Sequence, residues 1–370
     1  MATFITAPKI ITGPGALSDC GPGAACLGGS CLLVTGRSSL RASGTMDRLI
    51  DILVESGVTA HVFDGVGGEP TLDVVDEGRK ILQDLGVDSV IGIGGGSAMD
   101  AAKVMAGLAG ESAPTLDFHN GAPVEKAGLP FIAIPTTSGT GSEVTKNGVI
   151  TNAEARVKKS IRDDAFMARV VIVDPELTCS VPPDVTANTG MDALTQGIES
   201  YTSIHATPIT DALSVKAINL ICRSMADAYE DGGNMEARTN MAYGSLMAGM
   251  ALANARLGAV HGLAHPLGVR YGIPHGLVCA VLLPRVMRLN ADAAKEKYAK
   301  ITRMVKMEAI EFVEQLSATV QLPKDLSSFD IPQADYDAII AESMPSGSLK
   351  ANPKPVQESD LMAILQEVAG

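Results

Sequence analysis

The stretch DSVIGIGGGSAMDAAKVMAGLAG, residues 88–110, decides the fold. Its opening, DSVIGI, is apolar and β-branched and predicts a short buried strand. Three successive glycines, Gly94, Gly95 and Gly96, end the strand. The small and apolar residues that follow predict a helix. A strand running through glycines into a helix is the first half of a βαβ unit, and the same alternation repeats outward in both directions. Upstream, CLLVTG (31–36) and AHVFDGV (60–66) predict strands. MDRLIDILVESG (46–57) and LDVVDEGRKILQDLG (72–86) predict helices that stop at Gly57 and Gly86. Downstream, LPFIAIPTT (129–137) and RVVIVDP (169–175) predict two more strands. Such alternation predicts an α/β Rossmann-like domain with a parallel, doubly wound sheet.

The pattern changes after VDPELTCSVPPDV. From Pro183 the chain reads as helix after helix: TGMDALTQGIESYTS, TPITDALSVKAINLICRSMADAYED and ARTNMAYGSLMAGMALANARLG. Thr207-Pro208 predicts an N-cap with proline at the first helical position. The expected division is therefore residues 1–180, a dinucleotide-binding α/β domain, and 181–370, an all-α domain. MPSGSLKANPKP (344–355) is expected to be a surface loop before the last helix.

Composition narrows the function. Of 370 residues, 46% are hydrophobic and 19% charged, enough apolar surface for two cores. A net charge of −13 argues against nucleic acid as a partner, because phosphate backbones are bound by clustered Lys and Arg. No apolar run is long enough to cross a bilayer, so no membrane association is expected. The start, MATFITAPKIITGPGAL, lacks the pattern of a signal peptide. None of the six cysteines forms a C-x-x-C pair. Reduced thiols and a cytoplasmic location are the expectation.

Three loops at strand ends carry nucleotide signals. In the first, GIGGGS, Gly95, Gly96 and Ser97 open a helix whose free N–H groups suit an anion. A tight βα turn without a ligand has the same sequence. The second is PTTSGTGSE, where Thr136, Thr137, Thr140 and Ser142 offer hydroxyls to phosphate or ribose. Two such loops at the carboxyl ends of parallel strands point to one dinucleotide site. The third is TGRSS. NAD sites place an acid near here to accept a bond from the ribose 2′-OH. This chain has Gly36, Arg37 and Ser38 instead, which favours the 2′-phosphate of NADP(H) over NAD(H). An ordinary surface turn with an exposed arginine is the alternative.

The chemistry gathers in HGLAHPLGVRYGIPHG (261–276), which holds His261, His265 and His275, half of the six histidines in the chain. His261 and His265 are four apart and share a helix face. Burying imidazoles among Leu, Ala, Gly and Val costs free energy unless they find partners. A divalent metal is one such partner and needs a balancing carboxylate, which Asp192 in TGMDALTQGIES can supply, with Gln196 one turn on.

Taken together, GIGGGSAMDAAK, IPTTSGTGSEVT, VDPEL, TGMDALTQGIESY, ATPITDAL, MAGMALANARLGAVHGLAHPLG, PHG and ANPKP resemble the iron-containing (group III) alcohol dehydrogenases, in family order over nearly the whole chain. The resemblance implies metal-dependent hydride transfer between a nicotinamide cofactor and a small primary alcohol or aldehyde. It places the metal, Fe2+ or Zn2+, on Asp192, His261 and His275. Its fourth ligand is a histidine where this chain has Gln196, a neutral and weaker donor, so Gln196 or water is expected to complete the metal's ligands. It places His265 between metal and nicotinamide as the catalytic candidate. It also assigns Gly95, Gly96, Ser97, Asp100, Thr136, Thr137, Thr140, Ser142 and Lys158 to the cofactor and Asn147 to the substrate pocket. Gly148 beside Asn147 is expected to widen that pocket. Gly36 resembles NADP users. Arg256 and Arg270 could meet an anionic substrate group, but surface arginines with buried stems are the readier explanation. A homodimer or higher homo-oligomer is implied, with the segment FITAPKIITGPGAL as an edge strand. The alternative on the same architecture is a sugar-phosphate cyclase resembling dehydroquinate synthase, which needs more Lys and Arg than this segment offers.

Overall fold

The computed structural model describes residues 3–155 and 157–369. By its contacts the chain separates into two units. One comprises Thr6–Thr137 and Gly141–Ser180. The other comprises Val181 onward, the short segment Ser138–Thr140 and the first residues as far as Ile5.

The first unit is an α/β sheet structure. Strands β1 (Ile10–Thr12), β2 (Ser30–Gly36), β3 (Thr59–Val66), β4 (Ser89–Gly94), β5 (Phe131–Pro135) and β8 (Val170–Val173) form one sheet in the order β1-β8-β5-β4-β2-β3. Every neighbouring pair in it is parallel. The central strands β4 and β5 are buried at every position, and so is β8, as expected where helices cover both faces. The helices are α1 (Cys20–Ala25), α2 (Ser39–Ala42), α3 (Thr45–Glu55), α4 (Leu72–Leu85), α5 (Gly96–Gly107) and α6 (Thr115–His119). Thr71 caps α4 through its side chain, and Gly86 ends it at φ 62°, a left-handed value that glycine adopts without strain. The strand order reverses between β2 and β4. Their carboxyl ends, at Gly36 and Gly94, therefore flank the switch point where doubly wound sheets take ligands.

β1, inside the segment expected as an edge strand, is a short edge strand paired to β8. Asp174, in VDPEL, ties the chain that follows β1 to β8, its carboxylate accepting from the Gly15 and Leu17 N–H groups at 3.2 and 3.0 Å. One feature escaped the sequence pattern, an antiparallel hairpin of β6 (Asn147–Asn152) and β7 (Val157–Arg162), which carries Asn147 and Lys158.

The second unit is helical: α7 (Pro183–Thr202), α8 (Pro208–Glu230), α9 (Met235–Ala255), α10 (Ala259–Tyr271), α11 (His275–Leu289), α12 (Lys295–Val305), α13 (Ala309–Thr319), α14 (Tyr336–Ser343) and α15 (Glu358–Val368). Thr207 caps α8 in a reciprocal capping box with Thr210. The core is built from residues such as Met191, Leu194, Ile198, Leu263, Val278 and Leu282. The ANPKP segment departs from the expected surface loop, since Ala351 and Asn352 are buried. The reason is a pair of reciprocal amide bonds between Asn352 and Asn290 at 2.7 and 3.0 Å. Asn352 Oδ1 also accepts from the Ala259 N–H at 3.2 Å, and so holds the first turn of α10. Among the described residues no helix is long and apolar enough to cross a membrane.

Candidate metal and cofactor sites

Helix α7 presents Asp192, Gln196 and Glu199 at spacings of four and three, so they lie on one face. All three are buried. Opposite them, α10 supplies His261, and α11 supplies His275 and, one turn later, Cys279. The Asp192, His261, His275 and Cys279 donor atoms all lie within 4.8 Å of one another. His261 Nε2 is 3.2 Å and His275 Nε2 is 3.9 Å from Asp192 Oδ1. Cys279 Sγ is 3.7 Å from His275 Nε2 and 4.0 Å from His261 Nε2.

Glu199 orders this cluster. Its Oε2 accepts from His261 Nδ1 at 2.6 Å, and its Oε1 accepts from the Val260 N–H at 2.7 Å. With its Nδ1 proton committed to Glu199, a neutral His261 ring faces Asp192 with a lone pair against a lone pair. Only a cation between them, a proton or a metal, makes that contact favourable. The titration tendencies agree. Burial alone would raise Asp192 and lower His261. The neighbouring groups prevail: His261 and His275 hold Asp192 below the usual carboxylate range, and Cys279, then Asp192 and Glu199, hold His261 well above the usual imidazole range. Burial likewise opposes a Cys279 thiolate, yet His275 and His261 beside it bring the thiol below its ordinary value. Gln196 donates a hydrogen bond to Asp192, and its Oε1 is buried with no protein partner. An acid, two imidazoles, a thiol and an orphaned amide oxygen form a donor set that fits a divalent metal.

His265 shares α10 with His261 but is only half-buried. Its ring stacks on His275, with centroids 5.2 Å apart and planes 16° from parallel. Pro266, inside the helix, removes one backbone donor at that point. Arg256 and Arg270 are exposed, and Arg270 pairs with Glu342, as surface arginines do.

In the α/β unit, Gly95, Gly96 and Ser97 form the turn into α5, which has no side-chain cap and so leaves first-turn N–H groups open. Thr137 packs beside Gly95: a Cβ there would sit 3.6 Å from its side chain. Gly36 ends β2, followed by exposed Arg37 and Ser38. The Arg37 guanidinium lies over Gly67, where a Cβ would come within 2.5 Å of Nε. Ser138, in the second loop, has a buried hydroxyl without a partner. Thr136 and Thr137 follow β5. Thr140, in the same loop, is grouped with the helical unit.

Asp100 and Ser142 are joined to each other, the hydroxyl donating to the carboxylate at 2.5 Å. Asp100 also accepts from the Val149 N–H at 3.0 Å. Lys103, wholly buried, donates to Ser142, Thr145 and the Asn147 carbonyl. Together they fix the second loop and β6 onto α5. Lys158 pairs with Glu69 at 2.5 Å. Gly148 does not widen a pocket: a Cβ there would meet Val104 Cγ2 at 2.3 Å and the Asp100 carbonyl at 3.1 Å. Its missing side chain lets β6 pack directly on α5.

Sequence reading missed three of these residues. Glu199 follows Asp192 by seven, Cys279 follows His275 by four, and Lys103 sits in α5, where Asp100 is the other charged residue. The helical spacing was the available signal for the first two.

The comparisons with known proteins bear on the family and the fold. Residues 7–175 match the family described as iron-containing alcohol dehydrogenase, and 186–369 match the C-terminal region of the Fe-containing alcohol dehydrogenase family. The chain is 39% identical to long-chain-alcohol dehydrogenase 1 of Geobacillus thermodenitrificans, over 99% of this chain and 96% of that protein. Among solved structures, a 1,3-propanediol oxidoreductase superposes with a TM-score of 0.95 at 35% identity, covering 99% of both chains. Sulfoacetaldehyde reductase of Bifidobacterium kashiwanohense, solved with NAD+, superposes with a TM-score of 0.93 at 30% identity, covering 100% of this chain and 99% of that one. With the fold and both halves of the sequence in agreement, the chain belongs to the iron-containing alcohol dehydrogenase family and is a metal-dependent alcohol oxidoreductase.

Proposed function

We propose that Asp192, His261 and His275 hold a divalent metal, Fe2+ or Zn2+, and that the enzyme interconverts a small primary alcohol and its aldehyde with a nicotinamide cofactor. The observation that carries this reading is the convergence of Asp192 Oδ1 with the two imidazole Nε2 atoms at 3.2 and 3.9 Å. When bound, the metal supplies Lewis acidity toward the alcohol or carbonyl oxygen, and the cofactor supplies or takes the hydride.

The protein's own groups do the positioning. Glu199 keeps the His261 proton on Nδ1 and so frees Nε2 for the metal. The Gln196 amide N–H steadies Asp192, and its orphaned Oε1 is a neutral oxygen beside the same ligands. To His265, stacked on His275 and half-buried, we assign the orienting of substrate or the carrying of its proton. The open first turn of α5 and the hydroxyls of Thr136, Thr137 and Thr140 suit a dinucleotide phosphate, with Lys158 as a further cation and Asn147 on the substrate side. Asp100 and Ser142 serve that site by bracing the loop.

Among nicotinamide cofactors we assign NADP(H) over NAD(H). Gly36 offers no carboxylate to a ribose 2′-OH, while Arg37 and Ser38 offer a cation and a hydroxyl to a 2′-phosphate. We further assign a homo-oligomer, with β1 as the terminal strand of the sheet, and a cytoplasmic location, consistent with six free cysteines. The relatives named above are alcohol or aldehyde oxidoreductases and lend nothing to the cyclase alternative. The test is dialysis against a chelator, followed by return of Zn2+ or Fe2+, with NADPH oxidation by a panel of small aldehydes as the readout. Turnover should vanish and return. Full turnover of metal-free protein would overturn the reading.

A further inference from the structure

We propose that Cys279 is a metal ligand in this enzyme, a thiolate that completes the Asp192, His261, His275 set in place of the imidazole that Gln196 does not provide. The inference rests on the metal reading above.

Four observations support it. The first is register. Cys279 follows His275 by one helical turn on α11, so both side chains leave the same face of that helix. The second is distance. Around a tetrahedral metal with bonds of ~2.0–2.1 Å to nitrogen or oxygen and ~2.3 Å to sulfur, donor atoms lie about 3.3–3.6 Å apart. Four of the six separations are 3.2, 3.7, 3.9 and 4.0 Å and all lie within 4.8 Å, so the donors are already gathered close to the spacing a bound ion would impose. The third is burial. Cys279 is fully buried, so its sulfur faces the imidazoles rather than solvent. The fourth is the behaviour of Gln196. Its amide bonds to Asp192 while its Oε1 has no protein partner. It therefore supplies polarity to the site but no charge. Asp192 alone leaves a divalent ion one negative charge short of neutral among its direct ligands, and the Cys279 thiolate supplies that charge.

A further consequence concerns which metal is held. Thiolate is a soft donor and shifts a mixed nitrogen–oxygen site toward zinc and away from harder ions. The substitution of glutamine for histidine on α7, with a cysteine facing it from α11, exchanges one borderline donor for a softer one within the same cavity.

The experiment is X-ray absorption at the zinc edge on zinc-loaded, full-length protein, with bound zinc counted by elemental analysis. The expected result is one zinc per chain with a single sulfur scatterer at about 2.3 Å. Cys279→Ser should lose that scatterer and bind zinc more weakly by over about tenfold, since even an outer-shell partner is worth 10–100-fold. Cys222→Ser, a control thiol of the same unit, should keep it. Zinc bound at one per chain with only nitrogen and oxygen scatterers overturns the Cys279 assignment and leaves the other ligands standing. Iron but no zinc at one per chain overturns the Cys279 assignment alone, and neither metal at one per chain overturns both readings. The wild-type spectrum decides the question even if the serine variant does not fold.

Discussion

Glu199 Oε2 and His261 Nδ1 lie 2.6 Å apart, both buried, and this bond determines which ring nitrogen of His261 meets Asp192. The carboxylate takes the Nδ1 proton, and Nε2 is left 3.2 Å from Asp192 Oδ1. The imidazole is thus presented as a donor before any ion arrives.

Replacing Glu199 with glutamine keeps the shape and removes the charge. Zinc affinity, read by competition with a chromophoric chelator, should fall about 10–100-fold. An unchanged affinity would reduce Glu199 to a brace for the first turn of α10.

His265→Ala removes the ring stacked on His275 and leaves the ligand atoms in place. Bound metal should stay at the wild-type level while turnover drops by ~10²–10⁴, the usual worth of a positioned acid–base group. Loss of metal in this variant would make His265 a ligand and redistribute the roles.

Cofactor choice is tested at Gly36. A Cβ there has only the Val66 carbonyl near it, at 3.6 Å, so Gly36→Asp fits without strain. The carboxylate should accept the ribose 2′-OH and repel a 2′-phosphate, shifting preference toward NAD(H) by roughly a hundredfold at ~1.4 kcal/mol per decade. The comparison of kcat/KM for NADPH and NADH in both proteins reads it. A wild-type enzyme that favours NADH refutes the assignment.

Glu143 gives a pH dependence of stability. Burial pushes its carboxyl up to about 7, so the folded protein keeps a proton that the unfolded chain gives up near its ordinary value. Its contribution is present at acid pH and is lost as pH rises toward 7. Chemical denaturation of Glu143→Gln should therefore show a shallower decline than wild type over that interval. Parallel profiles would mean the carboxyl titrates normally.

Much of this fold was legible because its signals are local. Gly94–Gly96 after a β-branched run, and helices ended by Gly57 and Gly86, need no tertiary information. The β6–β7 hairpin was not legible, because its strands alternate polar and apolar residues only weakly and follow a loop whose hydroxyls drew the reading toward the cofactor. In the site, Asp192, His261 and His275 stood out as polar residues in apolar helices. Glu199 and Cys279 did not, because their importance comes from facing residues 62 and 18 positions away. Gly148 was misread because an absent side chain can open a pocket or admit a helix, and only the packing against Val104 decides which.

The most direct test of the account is the metal content and turnover of Asp192→Ala measured on the same preparation. The account predicts that both fall together, to background metal and background NAD(P)H-linked aldehyde reduction, in a protein that keeps its helical content. An Asp192→Ala enzyme that retains wild-type turnover after dialysis against a chelator would contradict it.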